Sequence, residues 1–208
     1  MRDLLRHDAD SPDSAANADD ASDQRTAPRF TLLIRAAKLV GPGAEFLCVV
    51  RDASETGVSV RLFHALPPDG DLSLELPNGD LHPLERVWEE QGKAGFRFVG
   101  DVDLARIVES PSAFARRGVR VQLQVPCELL FGVRKVPATI VNLSQQGARI
   151  CTTEKLSLIQ RVKIRADGMP EIAGKVRWRR NDHYGLSFED TFQFAELAAV
   201  AFELQRAA

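Results

Sequence analysis

Short segments of alternating apolar and polar residues, the signature of half-buried strands, run through most of this chain. Phe30–Val40 (FTLLIRAAKLV), Phe46–Val50, Gly57–Leu62, Leu72–Leu76, Leu81–Glu89 and Ala94–Val99 read as strands. Leu76-Pro-Asn-Gly-Asp-Leu81 reads as a hairpin, because Asn-Gly tolerates the positive φ of a tight turn. Asp101–Glu109 reads as a short helix and Ser110-Pro111-Ser112 as a linker. The pattern then restarts: Val121–Phe131, Ala138–Val141, Gly147–Thr152, Gln160–Arg165, Ala173–Arg180 and Tyr184–Phe188 read as strands, with a second hairpin turn at Ala166-Asp167-Gly168. Thr191–Ala208 closes the chain as an amphipathic helix. Asp190 and Gln193 have capping-box spacing, and Phe194, Leu197, Ala198, Ala201 and Phe202 share a face that we expect to dock on the second group of strands.

The restart is a repeat. Asp52 and Asn142 are 90 residues apart, as are Ser54 and Ser144, Gly57 and Gly147, Trp88 and Trp178, Gly95 and Gly185, and Phe98 and Phe188. Arg25 and Arg116, and Arg29 and Arg120, are 91 apart, so one single-residue indel reconciles the two copies. Two units of about six short strands predict two small tandem β-barrels, an all-β-dominated fold with a C-terminal helix. The expected division is a tail at 1–24, a first barrel at 25–109 and a second at 110–208 with the helix.

Composition narrows the function. The 208 residues carry a net charge of −2, spread as −5 over 1–24, −3 over 25–111 and +6 over 112–208. The tail is rich in Asp, Ala and Ser, lacks aromatics and is expected to be disordered. A basic second half suits an anionic partner, yet it falls short of the pI above ~9 usual for general nucleic-acid binding. No apolar run approaches the ~20 residues of a membrane helix, and the acidic N-terminus is not a secretory signal, so a cytoplasmic protein without membrane insertion is expected.

Catalytic and metal signatures are missing from the sequence. Cys48, Cys127 and Cys151 have no CxxC spacing and read as small buried hydrophobes rather than disulfide or zinc ligands. His7, His64, His82 and His183 fit no metal spacing, and His183 reads as a solvent-facing hairpin residue. Without a nucleophile elbow, a P-loop or a dinucleotide fingerprint, the chain is not expected to be an enzyme, nor to hold a cofactor or metal.

Two motifs recur instead. The first is RxxxR ahead of the first strand, Arg25 to Arg29 and Arg116-Arg117 to Arg120. The second is (D/N)xSxxG at a strand end, Asp52, Ser54 and Gly57, then Asn142, Ser144 and Gly147. In an extended segment the Asp or Asn and the Ser project together, and the glycine allows the bulge or turn that follows. Arginine can fork onto guanine O6 and N7, pair with phosphate or stack on a base. A carboxylate or amide oxygen accepts from guanine N–H groups, and serine adds a further hydrogen bond. Trp88 and Trp178 could stack on a base but are expected to pack in the barrel core or rim.

Each repeat resembles a PilZ domain, the bacterial receptor module for cyclic di-GMP, over about residues 25–107 and 112–208. Gly174-Lys-Val-Arg-Trp178 and Tyr184-Gly185-Leu-Ser-Phe188 also look like that family's final strands. The resemblance implies a six-stranded antiparallel barrel and a cyclic di-GMP ligand held by Arg116, Arg117, Arg120, Asn142, Ser144 and Gly147, or by Arg25, Arg29, Asp52, Ser54 and Gly57. The set of the second repeat, from Arg116 to Gly147, ranks first, because its arginine is doubled and its setting more positive. Ligand capture would order an arginine segment and change the angle between barrels or expose a surface for a downstream protein partner. The alternative of a different class is a ligand-independent interaction adaptor on the same barrels. A general RNA- or DNA-binding barrel ranks third, since it would want basic residues interleaved with exposed aromatics.

Overall fold

Among the described residues, twelve strands turn apolar side chains inward and close into two barrels. The computed structural model describes residues 30–108 and 118–206; the acidic tail and the Ser110-Pro111-Ser112 linker lie outside them. The first barrel is built from β1 (Phe30–Gly41), β2 (Ala44–Ala53), β3 (Gly57–Leu62), β4 (Leu72–Glu75), β5 (Leu81–Glu90) and β6 (Lys93–Phe98). A short helix, α1 (Leu104–Val108), follows. The second barrel comprises β7 (Val121–Phe131), β8 (Arg134–Ser144), β9 (Gly147–Cys151), β10 (Arg161–Ala166), β11 (Met169–Arg180) and β12 (His183–Phe188), and α2 (Phe194–Arg206) ends the described chain.

Both barrels have one topology. The order is β1-β2-β3-β6-β5-β4 in the first and β7-β8-β9-β12-β11-β10 in the second, all antiparallel and closed. Closure removes the sheet edges that an open sheet would expose. Strand β7 shows the driving pattern: Val121, Leu123, Val125, Cys127 and Leu129 point inward and their neighbours outward. The hairpins form where turn chemistry allows, with Gly79 (φ 90) between β4 and β5 and Gly168 (φ 81) between β10 and β11.

Three expectations change. Strands β8 and β11 begin four residues earlier than the sequence reading placed them. Charged Arg134, Lys135 and Glu171, with Pro170, dilute the strand signal there, while hairpin pairing still carries them (Phe131 with Arg134, Ala166 with Met169). Helix α2 is capped at Gln193, whose N–H donates to Glu196 Oε2 at 2.9 Å, three residues beyond the expected Asp190. And α2 docks on both barrels. Leu197, Ala198, Ala201 and Leu204 join the second core, while Phe202 packs against the first and stacks on His64 at 4.3 Å. Leu47 of the first barrel is buried in the second core, so the two barrels share apolar packing.

Candidate functional site

The (N)xSxxG segment turns tightly from β8 into β9. Ser144 is buried and its Oγ donates to Gly147 O at 3.0 Å, which fixes the turn and leaves its lone pairs as acceptors. Gly147 does not have the positive φ of a turn glycine. A Cβ there would lie 2.0 Å from Leu186 O, so the glycine exists because β12 passes directly over it. Gly57 is the same case, 2.5 Å from Phe96 O. This corrects the expectation that these glycines serve the bulge or turn. The bulges lie five residues or more upstream of the glycines, between Val50 and Asp52 and between Ile140 and Asn142.

Asn142 stands beside that bulge, with Gln122 on one neighbouring strand and Arg149 on the other. Its Oδ1 accepts from Arg120 Nη1 at 2.8 Å, which joins the last arginine of RxxxR to the first residue of NxSxxG. The backbone of Arg120 is held from the other side. Its carbonyl accepts from Lys38 Nζ at 3.1 Å, and Lys38 is buried between Glu45 at 2.8 Å and Glu75 at 3.2 Å. Glu45 Oε2 accepts from the Gln122 N–H, and its backbone exchanges two hydrogen bonds with the Gln205 amide. One buried lysine thus ties the first barrel to the arginine segment of the second.

These residues bound a cleft of about 1130 Å³ between the barrels. Arg120, Asn142, Ser144, Gly147, Arg149 and Arg177 line it from the second barrel, and Arg35, Lys38 and Glu75 from the first. Arg116, Arg117, Arg25 and Arg29 lie outside the described residues. Asp52 and Ser54 do not line the cleft: Asp52 Oδ2 accepts from Ser59 Oγ at 2.8 Å, and Ser54 Oγ bonds the Gly57 backbone. The motif of the first barrel is therefore paired within its own wall.

Charge separates the barrels further. The six residues Lys175–Arg180 around Trp178 carry a net +4, and their counterparts Glu85–Glu90 around Trp88 carry −2. Arg149 replaces Ser59, and Arg177 replaces Val87. The spacing of the repeat contained this signal, but the sequence reading used only the net charge of each half. Both tryptophans lie on the outer wall, 45% and 44% exposed, not in the core. Each covers a glycine of the next strand: a Cβ on Gly95 would meet Trp88 Nε1 at 2.1 Å, and one on Gly185 would meet Trp178 Nε1 at 1.9 Å.

Among the cysteines, Cys48 and Cys127 are buried as expected, and burial pushes the Cys127 thiol up to about 12. Cys151 is instead partly exposed, and its Sγ donates to Asp182 Oδ2 at 3.3 Å. His183 is only partly exposed, not the open loop residue expected. Among the described residues, no helix is long and apolar enough to cross a membrane.

No match was found among the curated proteins. Among solved structures, the chain is similar to PlzA from Borreliella burgdorferi in complex with c-di-GMP, at 12% identity, covering 83% of this chain and 88% of that one, with a TM-score of 0.36. It is also similar to the Bacillus subtilis inhibitor of motility MotI/DgrA (12% identity, 84% and 96% covered, TM-score 0.34). A third is YcgR from Escherichia coli in complex with c-di-GMP (14%, 84% and 85%, TM-score 0.33). Residues 114–200, which hold the whole second barrel and its arginine segment, match the family model of the PilZ domain.

Proposed function

We propose that the protein is a cyclic di-GMP receptor, not an enzyme, and that its second barrel carries the competent site. The observation that carries this reading is the 2.8 Å contact between Arg120 and Asn142, both of which line a cationic cleft. The PilZ match over 114–200 supports the ligand class. Arg120, with Arg116 and Arg117, would engage phosphates and guanine edges, and Asn142 Oδ1 and Ser144 Oγ would accept guanine N–H groups. The first barrel is read as a second, diverged copy, because its topology and 90-residue offset are those of the first-ranked one while its matching wall is acidic. Arg25, Arg29, Asp52, Ser54 and Gly57 form its corresponding set, ranked below the second barrel's.

The output follows from the attachment of Arg120. Its side chain bonds Asn142 and its carbonyl accepts from Lys38 of the first barrel. A ligand that pulls the arginine segment inward must displace or strain the Lys38–Glu45–Glu75 cluster, and so alter the angle between barrels and the surface offered to a protein partner. The test is Arg116→Ala combined with Arg120→Ala, assayed for cyclic di-GMP binding by calorimetry and for shape by solution scattering. Loss of both heat and ligand-induced shape change is expected. Retained binding in the double variant would sink the assignment.

A further inference from the structure

At the end of β9 far from Gly147, three ligating side chains converge. Cys151 pairs directly with His183 across the β9/β12 ladder, and Asp182 sits in the two-residue turn before His183. Asn181, with φ 55, gives that turn its tight form, and the Thr152 N–H donates to Asp182 O at 2.9 Å, which pins it to β9. Cys151 Sγ, a carboxylate oxygen of Asp182 and a His183 ring nitrogen all lie within 4.8 Å of one another. Asp182 Oδ1 is 3.9 Å from His183 Nε2. His183 Nδ1 is buried without a hydrogen-bond partner, so the ring is held with polar capacity unspent.

We propose that Cys151, Asp182 and His183 form a binding site for a thiophilic divalent cation of the Zn²⁺ class. Thiolate, imidazole and carboxylate together suit that class, whereas Mg²⁺ and Ca²⁺ take oxygen ligands. Bonds of about 2.3 Å to sulfur and about 2.0–2.1 Å to nitrogen and oxygen set tetrahedral ligands roughly 3.3–3.7 Å apart. Side-chain rotations of about an ångström therefore close the site without moving the strands. The thiol proton now shared with Asp182 leaves to solvent on binding, and the two anionic ligands balance the dication. Cys151 is partly exposed, so the ion has an entry path, and a fourth position stays open for water or a partner's side chain.

The site is independent of the nucleotide reading, and its test keeps the two apart. The full-length protein is titrated with Co²⁺, whose d–d and thiolate-to-metal charge-transfer bands report tetrahedral sulfur ligation. One saturable equivalent is expected, with the charge-transfer band lost in Cys151→Ser, affinity down at least about tenfold in His183→Ala, and both bands kept in the Arg116→Ala, Arg120→Ala variant. In the unmodified protein, Zn²⁺ should slow alkylation of Cys151 at least about tenfold by removing the free thiol. Alkylation unchanged by Zn²⁺, or a charge-transfer band that survives Cys151→Ser, would overturn the proposal.

Discussion

Arg120 Nη1 lies 2.8 Å from Asn142 Oδ1, so the two motifs, separated by twenty-two residues, meet before any ligand arrives. The contact joins a guanidinium to a neutral amide, so a nucleotide phosphate can replace it with a stronger charge-assisted bond.

Arg120→Ala should therefore weaken cyclic di-GMP binding about 10- to 100-fold, the worth of one hydrogen bond to a charged group. Stability should also fall, by about 1 kcal/mol, because the buried Asn142 Oδ1 loses its Arg120 partner. Asn142 is 8% exposed, and Asn142→Ala should cost binding and also about 1–2 kcal/mol of stability. Calorimetry measures the binding loss in each variant, and denaturant unfolding measures the shared loss of the Arg120–Asn142 contact.

Gly147→Ala should destabilise the second barrel by about 3 kcal/mol, at the upper end of overpacking costs, because its Cβ would sit 2.0 Å from a strand carbonyl. Gly118→Ala is the control: nothing lies within 4 Å of its Cβ, and a change under about 0.5 kcal/mol is expected. Equal effects in urea unfolding would contradict the close-approach argument.

The two barrels were legible in the sequence, because the strand pattern and the repeat are carried by local spacing, whereas the strand order, with β3 beside β6 and β1 beside β4, was not. Alternation gave the strands, Asn-Gly and Asp-Gly gave two hairpins, and the 90-residue offset gave the duplication. The roles of Gly57, Gly147, Gly95 and Gly185 were not legible, since each depends on which strand or indole crosses it. The Cys151, Asp182 and His183 cluster escaped for a similar reason. Its members meet across a ladder, 31 residues apart between Cys151 and Asp182, where no short-range spacing could reveal them. Lys38 gave no signal of its own within the strand Phe30–Val40, because its burial at the junction depends on Glu45, Glu75 and the Arg120 carbonyl meeting there.

Lys38→Met should lower stability by about 3 kcal/mol, because it leaves the partly buried Glu45 carboxylate without its cation. A double-mutant cycle with Glu45→Gln measures the coupling directly. An additive result would mean that the lysine does not hold the barrels together through Glu45.

His64 ties pH to the inter-barrel helix. Burial against Phe202 holds its pKa below the ordinary 6.5, and Glu203 opposes this only in part. The unfolded chain then binds the proton more readily, so this contribution is complete above pH 6.5 and is lost as pH falls through the lower folded value. His82 is lowered in the same direction by burial. His64→Gln should flatten part of the acid-side loss in a pH series of thermal melts, and a slope identical to the parent would count against the helix contact.

The central claim is tested most directly by isothermal titration of the full-length protein with cyclic di-GMP, with GTP and cyclic AMP as controls. Selective binding is expected, abolished by the paired Arg116→Ala and Arg120→Ala substitutions and changed less than about twofold by Asp52→Ala, whose side chain does not line the cleft. Absence of heat at several temperatures together with absence of a thermal shift, or binding that depends on Asp52 and not on Arg120, would contradict it.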